Sequence, residues 1–341
     1  MKITSLNKSK IIFLTAGIII LAVLFKSFGI EKIIEHFRTM SWRFFIIILL
    51  YLFNNIIMTY VWKILINYPI KLRDLHKLYL ARIAGDATSS INSIASLAGE
   101  PIKAMYIKSI VPLKTGFASV VLDRTIQSIS NIMLILTGVI ASFFLIKTSL
   151  LISAISILIP VIMIIMILLI LKKQRAGFIE YILSLLPENI VKKYVSEDRR
   201  AKVKELDYEI SYILSSRDKI KKFFISLFTR YIAVLVSGTL EIFLILQFIN
   251  VDVTLPHSIL IYVSNMFITN IIFFMPANIG VSEGAFTLAL KLLGYDPAVG
   301  ISLGMIYRLR RFAWSGIGMV ILFHAGLARK EKTDGSKDIQ S

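Results

Sequence analysis

The chain has 341 residues, of which 56% are hydrophobic and only 18% charged, and its mean hydropathy is +0.76. This balance excludes an ordinary soluble domain and predicts an integral membrane protein. The sequence contains no cysteine, which excludes disulfides, and its four histidines match no ligand spacing, so neither a metal nor a cofactor is expected. The net charge of +18 fits cytoplasmic loops of a membrane protein better than nucleic-acid binding.

Apolar stretches of membrane length predict an all-α bundle with seven or eight transmembrane spans. The first stretch, 11–28, follows Lys2, Lys8 and Lys10, which place the N-terminus in the cytoplasm. No cleavage site follows it, so it is expected to remain as a span. The count is eight spans if 279–295 crosses the bilayer and seven if this segment only dips into it. Eight spans put both termini in the cytoplasm. The other expected spans are 44–66, 116–146, 150–171, 223–250, 257–275 and 297–327.

The domain organisation is predicted to be simple, with one membrane domain over 1–330 and a short polar tail over 331–341. The only sizeable polar region, 172–222, carries thirteen Lys or Arg and eight Asp or Glu. Its positive excess predicts a cytoplasmic position. Its apolar spacing predicts an amphipathic helical hairpin against the membrane, which is too small to be an enzymatic domain.

Two apolar segments are interrupted in a way that a simple span would not be. The first, 83–99, consists mostly of Ala, Gly and Ser and contains Asp86, which lipid does not accept. We therefore expect a re-entrant or buried segment, after which Glu100 opens a new helix. The second interruption lies at 276–280. There the chain turns and restarts as a helix.

The helix after the second interruption is expected to span 283–293. Ser282 is its expected N-cap and Gly294 its stop. Both interruptions thus place a glutamate, Glu100 or Glu283, at a helix start after small residues. Such paired, broken segments suggest an inverted repeat and are the best sequence indication of a transporter's substrate site.

Polar side chains also recur at helical spacing inside the predicted spans. These stripes are expected to face the bundle interior. For Asn55 and Thr59, interhelical hydrogen bonds and a substrate pathway are equally good interpretations. The stripes comprise Asn55 and Thr59; Arg124, Gln127 or Ser128, and Asn131; and Arg230, Ser237 and Glu241.

Several short motifs resemble the membrane domain of the lysylphosphatidylglycerol synthase/flippase family over 10–327. Where the family usually has Gly-Gly after the proline, this chain has Ala277-Asn278. The resemblance implies translocation of a lipid, without specifying which one, and therefore membrane lipids as partners; the protein is expected in the plasma membrane. The matching motifs are Gly99-Glu100-Pro101-x-Lys103, Asp123-Arg124, Pro276-x-x-x-Gly280-x-x-Glu283, and Arg308 or its neighbours.

The leading hypothesis is a flippase-like carrier of a phospholipid, an aminoacyl-phospholipid or a polyprenyl-phosphate-linked lipid. Its phosphate is expected to lie between the two broken elements, with cations from Lys103, Arg124 and Arg308. Glu100 and Glu283 are expected to converge on one cavity, where they position these cations or meet an ammonium group. The complete set of expected substrate-binding residues is Glu100, Lys103, Arg124, Asn278, Glu283, Arg308 and Arg311.

Two other functions fit the same pattern. One is a membrane enzyme acting on a lipid-linked substrate, such as a glycosyltransferase; the other is a scaffold for a separate lipid-modifying synthase. The soluble aminoacyl-transfer domain of bifunctional relatives has no counterpart before Ser341, and no Asp-x-Asp motif was found. We therefore expect no enzymatic activity. The phosphate-binding loop Gly-x-x-x-x-Gly-Lys-Ser/Thr is absent from the sequence, so a gradient or passive exchange is expected to drive transport.

Overall fold

The computed structural model describes residues 30–146 except 67 and 92–98, isolated helical positions between 157 and 208, and residues 217–335 except 273, 274, 276 and 277. Helices, turns and short loops account for all of these residues, with no strand among them, so the prediction of an all-α chain is confirmed. The α-helices are α1 (Ile30–Met40), α2 (Phe44–Leu65), α3 (Leu75–Ile91), α4 (Gly99–Tyr106), α5 (Leu113–Leu145), α6 (Arg217–Phe248), α7 (Leu255–Ile271), α8 (Val281–Leu292) and α9 (Pro297–Gly335).

Three helical stretches in this part of the chain are long and apolar enough to cross a membrane: Ile34–Leu65, Leu113–Leu145 and Arg217–Phe248. The count of seven or eight spans stays a prediction. The expected spans at 11–28 and 150–171 and the polar loop at 172–222 lie wholly or mostly outside the described residues.

Helices α3 and α4 form a tight pair on either side of the first interruption. Gly85 and Gly99 face each other so closely that a Cβ on Gly99 would lie 2.2 Å from the Gly85 carbonyl oxygen. Only glycine at both positions permits this backbone contact. The described part of the predicted re-entrant segment, 83–89, is buried or half-buried throughout. The helix pair is therefore covered by protein over this length.

The second interruption separates α7 from α8, and its turn differs in detail from the prediction. The N-cap of α8 is Gly280 and not Ser282, because Gly280 has a φ of 78°, which glycine adopts without strain. Asn278 also lies in the left-handed region, at φ 53°. The predicted stop at Gly294 is confirmed by its φ of 85°. The 12 residues of α8 rise about 18 Å, which is short of the roughly 30 Å hydrocarbon core.

The long helix α9 connects the two halves of the bundle. It packs against both α3 and α8, and its inner face joins the largest apolar core cluster through Val299, Leu303 and Ile306. The same core contains Phe286 of α8 and Ile242 of α6, both fully buried. Because α9 runs without a break through 308–311, its arginines project from a rigid support into the interior.

Candidate functional site

A cavity of about 300 Å³ lies between α2, α3, α4, α5, α6 and α9. Its wall combines charged groups with the amides of Asn54, Asn55 and Gln127 and the rings of Tyr51 and Trp314. Charged side chains are unusual inside an apolar bundle and mark functional sites in membrane proteins. The charged side chains in its wall are Arg82, Asp86, Glu100, Lys103, Arg124, Arg230 and Arg311.

Asp123 anchors two of these cations from behind the cavity wall. Its Oδ1 accepts a hydrogen bond from Arg230 Nη1 at 3.1 Å, and its Oδ2 accepts one from Arg82 Nη1 at 3.5 Å. Asp123 is 3% exposed. Arg82 also donates to the Met58 carbonyl at 3.1 Å. The carboxylate therefore fixes two guanidinium groups from different helices, α3 and α6, at one side of the cavity.

The α3–α4 pair supplies a second group of charges. Lys103 Nζ lies 2.8 Å from Asp86 Oδ1 and 3.7 Å from Glu100 Oε1. On α5, Arg124 Nη1 lies 3.9 Å from the same Glu100 oxygen and donates to Gln127 Oε1 at 3.1 Å. Three of the predicted site residues, Glu100, Lys103 and Arg124, are thus brought together.

Cations exceed carboxylates at this site. Arg82, Lys103, Arg124, Arg230 and Arg311 contribute five positive charges, whereas Asp86, Glu100 and the supporting Asp123 contribute three negative ones. The site therefore carries two more positive charges than negative ones. Among the described residues, Arg311 has no ion-pair partner, although it lines the cavity. An anionic ligand would compensate this excess, because unpaired buried charge is costly.

Glu283 and Arg308 do not join the cavity wall, which makes the expected convergence of Glu100 and Glu283 on one cavity wrong. Glu283 is 0% exposed, and its Oε2 accepts hydrogen bonds from Arg308 Nη2 at 2.6 Å and from the Gly280 N–H at 3.0 Å. Asn278, another predicted substrate-binding residue, contacts Arg308 through its backbone, because its carbonyl oxygen accepts a hydrogen bond from Arg308 Nη2 at 3.2 Å. These residues form a separate, closed ion pair at the start of α8.

The neighbouring arginines of α9 have different partners because successive residues project about 100° apart. Arg308 pairs with Glu283, whereas Arg310 Nε lies 2.6 Å from Glu241 Oε1. The Arg310 guanidinium also lies 4.1 Å from the Tyr51 ring centre and 4.5 Å from that of Tyr307. Arg311 points instead to the cavity. The three arginines therefore have different surroundings: Arg308 and Arg310 form ion pairs with different glutamates, and Arg311 lines the cavity.

The roles of several cavity residues could not be predicted from the sequence, although it contains signals for some of them. Asp86 is unsuited to lipid, and helical spacing places Arg230 on one helix face with Ser237 and Glu241. All three side chains on that face contact groups inside the bundle. Arg230 contacts Asp123, Glu241 contacts Arg310, and Ser237 donates a hydrogen bond to Asn54 Oδ1 at 3.3 Å. Arg82 had no such signal, since nothing in its local sequence indicates that it meets Asp123.

Within the part of the chain that the structure describes, no group of three His, Cys, Asp or Glu side chains could hold a metal ion. The cavity instead offers fixed guanidinium and ammonium donors, amides and aromatic faces. Such groups bind phosphate and its neighbouring polar atoms without any cofactor. The arrangement is suited to holding an anion inside a membrane protein.

The apolar helices and the buried charged cavity together define a polytopic membrane protein. A family model described as the lysylphosphatidylglycerol synthase TM region matches residues 10–318, so the chain belongs to this family. The expected resemblance is thereby confirmed. Neither the curated proteins nor the solved structures contain a match to the chain. Membership associates the protein with membrane lipid modification or transport.

Proposed function

We propose that the protein is a carrier that moves a phosphate-bearing amphiphile across the plasma membrane. The observation that carries the proposal is the excess of two positive charges around a cavity inside an apolar helix bundle. A lipid phosphate would neutralise part of this excess, while its hydrocarbon chains would remain in the bilayer. A volume of about 300 Å³ is at the lower end of ligand pockets and suits a headgroup rather than a whole lipid.

The proposed phosphate ligands are Arg311, which has no ion-pair partner among the residues that the structure describes, and the half-exposed Arg124. Arg124 has a side-chain exposure of 39%, whereas Arg82 and Lys103 are each 5% exposed and held by carboxylates. Guanidinium groups bind phosphate oxygens through paired N–H donors. The deeper cations would stabilise the negative charge at longer range.

The order of helices supports a structural repeat, which we propose to be inverted; the eight-span topology is proposed from the charge distribution of the sequence. A long helix, a 17-residue helix, a short helix and a second long helix occur in α2–α5 and again, in that order, in α6–α9. In each of these two four-helix units, a glutamate of the short helix lies close to an arginine of the long helix that follows it. The separation is 24 residues for Glu100 and Arg124, and 25 for Glu283 and Arg308. Carriers with such repeats alternate access around a central site.

The carrier is proposed to act without enzymatic activity of its own and with its N-terminus in the cytoplasm. Lipids are its proposed partners, and a separate lipid-modifying synthase is a candidate source of its substrate. Asp86 and Glu100 each lie within 4 Å of a cation. Because their carboxylates are engaged in ion pairs with the cations proposed to hold the ligand, we favour a carrier over a lipid-linked glycosyltransferase.

A reconstituted transport assay tests the proposal. The purified chain in vesicles with an acyl-labelled anionic phospholipid should speed its exchange between leaflets over protein-free vesicles. Arg311→Gln should slow this exchange about tenfold or more, because a charge-assisted bond is lost. Arg73→Gln is the matched control, since Arg73 is exposed and outside the cavity. Equal rates with and without protein would refute the carrier. Chemical conversion of the recovered lipid would establish an enzyme instead.

A further inference from the structure

The ion pair between Glu241 of α6 and Arg310 of α9 lies behind the cavity wall and takes no part in the proposed phosphate site. The two residues are 6% and 2% exposed, and neither lines the cavity. Arg310 Nε lies 2.6 Å from Glu241 Oε1, but the contact lacks the alignment of a hydrogen bond. Among the described residues, the buried Arg310 Nη1 has no acceptor. The pair is therefore held by charge and has little hydrogen bonding to support it.

Glu241 has fewer partners than the other buried carboxylates that form ion pairs. Asp123 accepts hydrogen bonds from two guanidinium groups. Glu283 accepts from Arg308 and from the N–H of Gly280. In the described part of the chain, Glu241 contacts one guanidinium group and no other donor. Because cations and donors stabilise the charged form of a carboxylate, the charge of Glu241 is the easiest of the three to neutralise with a proton.

The other titratable groups that face this pair are tyrosines from three helices. The Arg310 guanidinium lies 4.1 Å from the ring centre of Tyr51 on α2 and 4.5 Å from that of Tyr307 on α9. Tyr262 of α7 is 8% exposed and interacts electrostatically with both members of the pair. The described residues of α1, α3, α5 and α8 place no charged group against Glu241. Tyrosine and arginine keep their charge between about pH 6 and 8, so Glu241 is the group of this cluster that can change charge.

Tyr51 connects the pair to the cavity. Its ring contacts the Arg310 guanidinium and also forms part of the cavity wall, where Asp86 and Arg311 act on the same tyrosine. While Glu241 is ionised, it compensates the charge of Arg310. Once Glu241 is protonated, Arg310 adds one uncompensated positive charge beside the cavity. Charges inside an apolar bundle are weakly screened, so an anion in the cavity is then bound more tightly.

We propose that Glu241 is a proton-binding site and that its protonation is coupled to the binding of an anion in the cavity. This inference rests on the proposed carrier function. One proton converts the Glu241 carboxylate to a carboxylic acid while one negative charge enters the cavity, so the net charge of the bundle stays the same. Arg310 is compensated by Glu241 when the cavity is empty and, at longer range, by the anion when it is filled. A lipid phosphate and a proton thus move together, and a proton gradient supplies the energy for transport.

The coupling fixes the sign of the pH dependence. Protonation of Glu241 strengthens anion binding, so the affinity rises as the pH falls. Because coupling between two sites is reciprocal, anion binding must in turn raise the affinity of Glu241 for a proton. The protein should therefore take up protons when the anion binds.

Calorimetric titration of the purified full-length chain in detergent tests the affinity. The probe is short-chain phosphatidylglycerol, whose phosphodiester keeps one negative charge throughout this pH range. Wild type should bind it about fivefold or more tightly at about pH 6 than at about pH 8. Glu241→Gln imitates the protonated state and should bind at both pH values with the low-pH affinity of wild type. The matched control Glu35→Gln, at an exposed position of α1, should retain the pH dependence.

Two further measurements complete the test. If Glu241→Gln does not fold, the double variant Glu241→Gln/Arg310→Gln removes both charges of the pair and should bind without pH dependence. In weakly buffered solution with a pH indicator, wild type should take up protons as the lipid binds, whereas either variant should take up none. Equal wild-type affinity at both pH values, or an unchanged pH dependence in the variants, would overturn the coupling and leave the carrier intact. Absence of binding at either pH would refute the anion site and the coupling together. Intact pH-dependent binding without lipid exchange in vesicles would refute the carrier alone and uphold the coupling.

Discussion

Arg308 Nη2 lies 2.6 Å from Oε2 of Glu283, and the pair is closed off at the start of α8 instead of facing the cavity. Glu283 therefore has a structural partner in addition to the backbone N–H of Gly280. The corresponding residues of the first unit, Glu100 and Arg124, are 3.9 Å apart and border the cavity. The same sequence pattern thus yields one closed pair and one open pair.

Loss of the closed pair is expected to destabilise the fold. Glu283→Gln leaves Arg308 as a largely buried cation without its counter-ion, which typically costs about 3–5 kcal/mol. We expect a lower thermal unfolding midpoint of the purified protein in nanodiscs. Glu35→Gln, at an exposed position of α1, should leave the midpoint unchanged. A Glu283→Gln protein as stable as wild type would show that the ion pair contributes nothing to folding.

Arginine is expected to be required at position 310. Its guanidinium contacts Glu241 and stacks on Tyr51 and Tyr307, which a lysine ammonium cannot reproduce. Arg310→Lys should lower stability by roughly 1–3 kcal/mol, as measured by denaturant unfolding in detergent. The exposed Arg73→Lys is the control. If the two variants unfold alike, stacking on the tyrosines has no energetic role.

The glycine contact between α3 and α4 is expected to be intolerant of a single methyl group. Gly99→Ala places its Cβ 2.2 Å from the Gly85 carbonyl oxygen, so the helices must separate. Overpacking of this kind costs about 1–3 kcal/mol. Gly284→Ala adds the same methyl group within α8, where no described atom outside the helix's own backbone lies within 4 Å, and should be neutral or stabilising. Thermal unfolding compares the two, and equal midpoints would contradict the close helix contact.

Cysteine labelling tests the eight-span topology directly, because the native chain has no cysteine. In intact cells an impermeant thiol reagent should modify Asp252→Cys, at an exposed position between α6 and α7. Ser341→Cys should react only after the cells are opened. Reaction of Ser341→Cys from outside would exclude the eight-span count.

Composition and apolar spacing were sufficient to predict the helical class, the two interruptions and the helix stop at Gly294, because these depend on local sequence. Pairing among the charges was not predictable in this way. Whether Arg308 or Arg310 meets Glu283 depends on which helix lies on each side of α9, and that is a tertiary property. The same holds for Arg82, whose partner Asp123 is 41 residues away. The separation of Glu283 from the cavity follows from packing alone and could not be predicted from local sequence.

The three arginines of α9 also restrict how the bundle can move. Rotation of α9 about its axis by one residue, about 100°, would carry Arg308 away from Glu283 and Arg310 away from Glu241 at the same time. Gly304 adds a steric restraint, since a Cβ there would lie 2.8 Å from Glu283 Cγ. The Arg308–Glu283 pair and the Gly304 contact thus hold α8 and α9 in one rotational register. Under the proposed carrier function, we expect these two helices to move together and the hinge to lie elsewhere in the chain.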